Sequence, residues 1–223
     1  MGFTITGGAT LTGGASMGAG GGGGGSAVGK WLVGAKGNDS EGVAYLFDLD
    51  GTNPITITAS DAASGDNFAE TPNSVAVTAT KILIGKSADD DNGADAGAVY
   101  LYDIDGTNEL KITTSDGSGT DRFGHSVALS ATKIVAGARY AGSNYTGWAY
   151  IYDIDGTNEI KVNLNPGGQY DQFGESVAVN DSKFAVGANN ADRVSGTSGP
   201  GKVFVYDLDG TNRYEITSSD GAD

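Results

Sequence analysis

The octapeptide YDIDGTNE at 102–109 returns unchanged at 152–159, and again as FDLDGTNP at 47–54 and YDLDGTNR at 206–213. A chain that writes one acidic segment four times must fold as copies of one unit, each burying its faces against its neighbours. The Asp-Gly pairs at 50/51, 105/106, 155/156 and 209/210 are separated by 55, 50 and 54 residues, the length of a four-stranded unit. With 223 residues there is room for one repeat domain and not for two large domains.

Every copy carries the same four runs. The third is the most informative: VAYLF at 43–47, AVYLY at 98–102, WAYIY at 148–152 and KVFVY at 202–206 alternate aromatic and aliphatic residues with period two. Both faces of this strand therefore demand burial, which a two-layer sandwich denies and a stack of small sheets provides. The fourth run pairs apolar with charged or polar residues (Leu110, Lys111, Ile112; Ile160, Lys161, Val162), as an outer edge strand does to discourage aggregation. The second run ends in small residues (WLVGA, ILIGK, IVAGA, FAVGA), where neighbouring sheets crowd together. These observations predict an all-β fold: a small β-propeller of four blades, each of four antiparallel strands.

Between these runs stand Phe123-Gly124, Ser126-Val127-Ala128 and Val135-Ala136-Gly137-Ala138, repeated as Phe173-Gly174, Ser176-Val177-Ala178 and Val186-Gly187-Ala188. This pattern resembles the FG-GAP repeat, the blade of the integrin alpha-chain propeller, and the resemblance covers residues 30 to 223. No copy has the proline of Gly-Ala-Pro, and one copy reads Phe68-Ala69 with extra residues before Ser74, which predicts a distorted loop there.

The resemblance implies calcium, but the connection that carries the calcium loop in that family is only TATK, SATK or NDSK here. The octapeptide itself reads first as a hairpin turn, because Asp-Gly between strands supplies the left-handed glycine and side chains that bond the turn backbone. A calcium ion needs six to eight oxygens, of which one turn offers only part. The better candidate metal ligands are Asp89, Asp91 and Asp95 in the acidic run at 89–95. A solvated acidic loop is the alternative.

A formal charge of -15 argues against nucleic acid as a partner and against anionic membrane surfaces. The chain has no cysteine and one histidine, so thiolate and multi-histidine metal sites within the chain are excluded. His125 takes the place that Glu175 holds in the next copy and reads as an exposed position. Carboxylates recur at turn positions in all four copies, which suits structure rather than a tuned acid and base, so no catalytic residue and no cofactor-binding residue is assigned and a non-enzymatic role is expected. Tyr140, Tyr145 and Tyr170, aromatics in Gly-, Ser- and Asn-rich connections, are the candidate binding residues.

Residues 1–25, with TITGGA, TLTGGA and an uninterrupted glycine run at 20–25, read as an anchoring arm and linker ahead of a propeller domain at 26–223, a disordered tail being the alternative for 1–25. The segment lacks the basic and apolar regions of a secretory signal, and no stretch has the roughly 20 apolar residues of a membrane span. Ser26-Ala27-Val28 offers an inner strand that would close a four-bladed ring; pairing between subunits, giving a larger ring or a homo-oligomer, is the alternative. FG-GAP proteins this rich in DLDGTN are similar to structural proteins of tailed marine bacteriophages. That resemblance implies a virion decoration or appendage whose arm binds a capsid or tail protein and whose propeller, on the virion surface, contacts a host-surface glycan or protein. A secreted or cell-surface bacterial adhesion protein is the alternative.

Overall fold

The computed structural model describes residues 16–18, 29–35, 41–71, 73–164, 167–191 and 199–216. Among these residues the chain forms four antiparallel four-stranded sheets, each taking its strands in chain order from inner to outer edge. Blade 1 comprises β1 (Ser16–Gly18), β2 (Lys30–Ala35), β3 (Val43–Asp48) and β4 (Ile55–Ile57). Blade 2 comprises β5 (Val75–Val77), β6 (Lys81–Lys86), β7 (Ala98–Asp103) and β8 (Leu110–Ile112). Blade 3 comprises β9 (Phe123–Leu129), β10 (Lys133–Ala138), β11 (Trp148–Asp153) and β12 (Ile160–Asn163). Blade 4 comprises β13 (Phe173–Val179), β14 (Lys183–Ala188), β15 (Lys202–Asp207) and β16 (Tyr214–Ile216). The four-bladed all-β expectation holds.

The period-two alternation decides how blades meet. In blade 2 the aromatic face, with Ile82, Ile84, Tyr100 and Tyr102, packs on Leu32, Ala44, Leu46 and Ile57 of blade 1. Its aliphatic face, with Leu83, Val99, Leu101 and Ile112, packs on Phe123, Ile134, Tyr150 and Tyr152 of blade 3. Blade 3 repeats the rule, setting Val135, Ala149, Ile151 and Val162 against Phe173, Phe184, Phe204 and Tyr206 of blade 4. Three core clusters thus correspond to three blade interfaces, each an aliphatic face against the next blade's aromatic face.

The small residues of the second strand are required by close approach of the backbone. A Cβ on Gly85 would lie 1.8 Å from the carbonyl oxygen of Gly124, and one on Gly137 would lie 2.0 Å from that of Gly174. The Phe-Gly peptide of each following blade is thereby seated in a slot that only glycine leaves open. Where the sequence departs from the motif the geometry follows: Ala69 stands at φ 55, and β5 spans 3 residues against 7 in β9 and β13.

The inner strand of blade 1 comes from within the segment read as the arm. Ser16 pairs opposite Gly34, as Ser126 does opposite Gly137 and Ser176 opposite Gly187, so the register of the Ser-Val-Ala strand is preserved. Ser26 to Val28, expected in that role, lie outside the described residues, as does most of the arm.

The octapeptide is a turn with a fixed wiring. In blade 2 the Gly106 N–H donates to the Asp103 carbonyl, and Thr107 donates through both its N–H (3.0 Å) and its hydroxyl (2.6 Å) to Asp105. Asp103 accepts from Asn108 Nδ2 (2.6 Å) and from Lys81 Nζ (2.7 Å) across the strand pair. The same bonds recur around Asp48 and Asp50, Asp153 and Asp155, and Asp207 and Asp209. In every copy the second aspartate is held below the usual carboxylate range, first by the threonine hydroxyl and then by its N–H. The final glutamate of YDIDGTNE reaches the preceding blade: Glu109 accepts from the N–H and hydroxyl of Ser60, and Glu159 likewise from Ser115.

Candidate functional site: a tyrosine groove and a lysine-filled aspartate cluster

The turn that precedes each Phe-Gly fixes where side chains project. In DNF, DRF and DQF the aspartate (Asp66, Asp121, Asp171) is buried and accepts a backbone N–H from three residues upstream. The residues on either side of it take left-handed φ: Gly65 at 102°, Thr120 at 74° and Tyr170 at 64° before it, and Asn67 at 61°, Arg122 at 60° and Gln172 at 54° after it. Glycine suits such a backbone, yet the third copy places a tyrosine there.

Tyr170 meets Tyr145, which also stands at positive φ (57°), in the loop between β10 and β11. Their rings stack with centroids 5.4 Å apart, and Tyr140 packs edge-on against Tyr145 at the same distance. The Arg139 guanidinium lies 4.5 Å from the Tyr140 ring centre. All three candidate binding tyrosines are therefore brought together, with Tyr145 40% and Tyr170 37% exposed. They border two adjoining grooves of about 470 Å³ each, edged by Thr120, Arg122, Asn144 and Gln172. An exposed stack of rings rimmed by guanidinium, amide and hydroxyl groups suits a ligand with an apolar face and polar edges. Sequence reasoning missed Thr120, Arg122 and Gln172; the signal was their alignment with Tyr170 around the repeated Asp-x-Phe.

The three candidate metal ligands are not brought together as a set. Asp89 and Asp91 converge with Asp61 from the preceding blade's exit loop, their carboxylate oxygens lying within 4.8 Å of one another. Asp95 lies apart and pairs with Arg122 at 3.3 Å. Among the three converging carboxylates sits the Lys111 ammonium, 2.6 Å from Asp61, 2.8 Å from Asp89 and 2.6 Å from Asp91. In this arrangement the cation is a side chain of the protein. A second lysine, Lys86, is fully buried behind it and contacts Asp61 (3.0 Å), Asp66 (2.6 Å) and Asp89 (2.9 Å). The Tyr100 hydroxyl donates to Asp61 and to Asp89.

Burial would raise the Asp89 carboxyl, but Lys111 and Lys86 outweigh it and hold it below the usual range. Asp61 is likewise held far down, Lys111, Tyr100 and Lys86 overcoming the effect of burial. Burial drives the Tyr100 phenol up, and the adjacent carboxylates add to this, so it remains a donor. Blade 3 carries the simpler version, in which Lys161 and Tyr150 hold Asp116. There Ala138 and Ala141 occupy the positions of Lys86 and Asp89.

His125 is buried rather than exposed, with Nε2 3.5 Å from Glu175, which also pairs with Arg139 at 3.2 Å. The inner strands of blades 3 and 4 pack together there, so the two aligned positions face each other. The His125 hydrogen bond first, with the Arg139 guanidinium, lowers the Glu175 carboxyl against its burial.

A profile of the FG-GAP repeat matches residues 53–102, 107–152 and 157–206, more than half of the chain. Each matched unit begins near the outer strand of one blade and ends on the third strand of the next, so the sequence repeat straddles the blade interface. Among solved structures, the chain is similar to a chain of the nidogen/laminin complex (9% identity, TM-score 0.54, covering 85% of this chain and 60% of that one). It is also similar to TolB from Acinetobacter baumannii (16% identity, TM-score 0.53, covering 85% and 41%) and to a putative TolB from Agrobacterium tumefaciens (14% identity, TM-score 0.54, covering 85% and 58%). These are β-propellers, and this chain spans between two-fifths and three-fifths of their lengths. No curated protein matches the sequence. Among the described residues no helix is long and apolar enough to cross a membrane. With three repeats in register and the glycine slots that seat them, the chain belongs to the FG-GAP repeat family.

Proposed function

We propose that this chain is a non-enzymatic binding module that presents the Tyr140, Tyr145 and Tyr170 groove to a saccharide. The observation that carries the reading is Tyr170: a bulky residue held at φ 64° where an aligned copy has Gly65, and stacked on Tyr145, itself at φ 57°. Strained backbone that persists is commonly supported by its surroundings for a purpose, and here it orients two exposed rings. Tyrosine faces stack on the C–H face of a pyranose, while Arg122, Gln172 and Thr120 meet its hydroxyls. The charge of -15 disfavours polyanionic polymers and points to neutral or amino sugars.

In the finer form of the proposal the module sits on a virion surface, tethered to a capsid or tail protein by the Gly/Thr-rich residues ahead of β1, and binds a host glycan. The regularity of the DLDGTN repeats, similar to that of phage structural proteins, supports this placement. Display on a bacterial surface as an adhesion protein uses the same groove. An array of neutral, amino and acidic oligosaccharides probed with the wild-type chain and with Tyr145→Ala tests the reading. Binding to neutral or amino sugars that falls at least tenfold in the variant is expected. Binding confined to acidic sugars, or unchanged in the variant, overturns it.

A further inference from the structure

Of the two grooves at the tyrosines, one is walled by four rings, Tyr140, Tyr145, Trp148 and Tyr170, and its lining holds a single charged side chain, Asp121. Asp121 is only 6% exposed, and its Oδ2 accepts the Ser118 N–H at 2.9 Å. Among the described residues no ion pair engages this carboxylate, although it lies in the groove wall. The repeat shows what such a carboxylate takes when it is given a partner. In blade 2 the aligned Asp66 accepts the same kind of backbone N–H, from Ala63, together with the Lys86 ammonium at 2.6 Å. Blade 3 has Ala138 at the lysine position, so it brings no equivalent ammonium. The other cations around the groove are committed. Lys161 bonds Asp116 at 2.6 Å while resting on the Trp148 ring, Arg122 pairs with Asp95, and Arg139 pairs with Glu175. Blade 4 also has an alanine at the lysine position, Ala188, but its Asp171 lines neither tyrosine groove.

We infer that this groove takes the ammonium of an unacetylated amino sugar, Asp121 receiving it as Asp66 receives Lys86. The inference rests on the saccharide reading of the groove and narrows it to one class of sugar. Aromatic walls attract a cation through their ring faces, and a buried carboxylate supplies the counter-charge in a strong, charge-assisted hydrogen bond. An acidic sugar meets a like charge there instead. Burial is the largest influence on the Asp121 carboxyl and raises it, so a bound ammonium is expected to bring it down.

Titration calorimetry at about pH 6, below the range of amines and above that of carboxylates, compares β-linked glucosamine oligomers with their N-acetylated counterparts of equal length. The wild-type chain is expected to bind the free amines about tenfold more tightly, Asp121→Asn to lose that preference, and Tyr145→Ala to weaken binding of both forms. Asparagine can still accept the Ser118 N–H through its Oδ1, and circular dichroism melting shows whether the variant folds. A second readout needs no variant: in carboxyl-carbon NMR of the wild-type chain, the Asp121 signal titrates at lower pH with the free amines bound than with the N-acetylated form. Equal affinity for the two forms, a preference that survives in Asp121→Asn, or an Asp121 signal indifferent to the amine overturns the inference. The groove reading still stands in those cases if Tyr145→Ala weakens binding. Binding of neither form, or binding indifferent to Tyr145→Ala, overturns the groove reading and the inference with it.

Discussion

At the scale of single residues, the repeat works as its own control, because the same position is filled differently in different blades. Position 170 is the sharpest case. Alanine normally stabilises a loop relative to glycine, but at φ 64° the order reverses, since an L side chain is disfavoured there. Tyr170→Gly is expected to be more stable than Tyr170→Ala by about 1 kcal/mol in urea unfolding, while both lose the stacked ring. A second comparison concerns Lys86. Removing it alone, as Lys86→Ala, leaves Asp66 and Asp89 buried without their shared cation and is expected to cost about 3–5 kcal/mol. Removing Asp89 as well restores the Ala-Ala pair of blades 3 and 4, and most of that loss is expected to return. If the double variant is no more stable than the single, the lysine is not the partner that matters.

The same cluster sets a pH dependence. The folded Asp61 and Asp89 carboxyls lie below their unfolded value of about 3.9, so their contribution is complete above that pH and is lost as pH falls through the folded values. Lys111 is raised, its three carboxylate partners outweighing burial, so its contribution is complete below about 10.4 and is lost as pH rises beyond it. Asp121 is raised by burial, which outweighs the bond from the Ser118 N–H and the charge of Lys161, so its effect runs the other way and favours the folded state in acid. Lys111→Met is expected to shift the acid unfolding midpoint toward lower sensitivity, with a shallower loss of stability between pH 5 and pH 3 than wild type, these being about the limits of carboxylate titration.

At the scale of the element, the strands were legible because aromatic and aliphatic residues alternate with period two, and the pattern leaves no face for solvent. The octapeptide was legible as a turn because Asp-Gly between two apolar runs has few other uses. The first strand of blade 1 was not legible: Ser-Met-Gly carries little hydrophobic signal, and only its register opposite Gly34 identifies it. Lys86 was hidden for a similar reason, since a lysine ending an apolar run looks like an exposed strand end; the alanines at 138 and 188 were the clue. His125 was misread because alignment alone does not show that the aligned position, Glu175, faces it across two inner strands. The glycine slots allow a direct test of the element-level account. Gly137→Ala places a methyl against the Gly174 backbone and is expected to cost about 3 kcal/mol or more. Gly187→Ala meets only the mobile end of the Ser176 side chain at 2.4 Å and is expected to cost under about 0.5 kcal/mol. Equal costs would mean that crowding between blades does not explain the glycines.

At the scale of the whole molecule, one rule of packing generates both the fold and the site. Each interface seats a Phe-Gly turn, or Phe68-Ala69 in blade 2, in the previous blade's glycine slot, and that turn throws the flanking residues outward in left-handed conformations. The turn entering blade 3 supplies Thr120 and Arg122, the turn entering blade 4 supplies Tyr170 and Gln172, and the long loop after β10 adds Tyr140 and Tyr145. The three tyrosines were individually visible in the sequence as aromatics in polar loops. Their convergence was not, because it depends on loops about 30 residues apart meeting across a blade interface. The aspartate network of blade 2, by contrast, is occupied by its own lysines and serves to join blades.

The most direct test is a titration of the wild-type chain with the neutral or amino oligosaccharide that binds it on an array, followed by aromatic proton–carbon NMR. The account predicts that the ring signals of Tyr140, Tyr145 and Tyr170 shift together and saturate at one affinity. Ring signals that stay fixed while those of Tyr45 or His125 move would place the ligand elsewhere and contradict it.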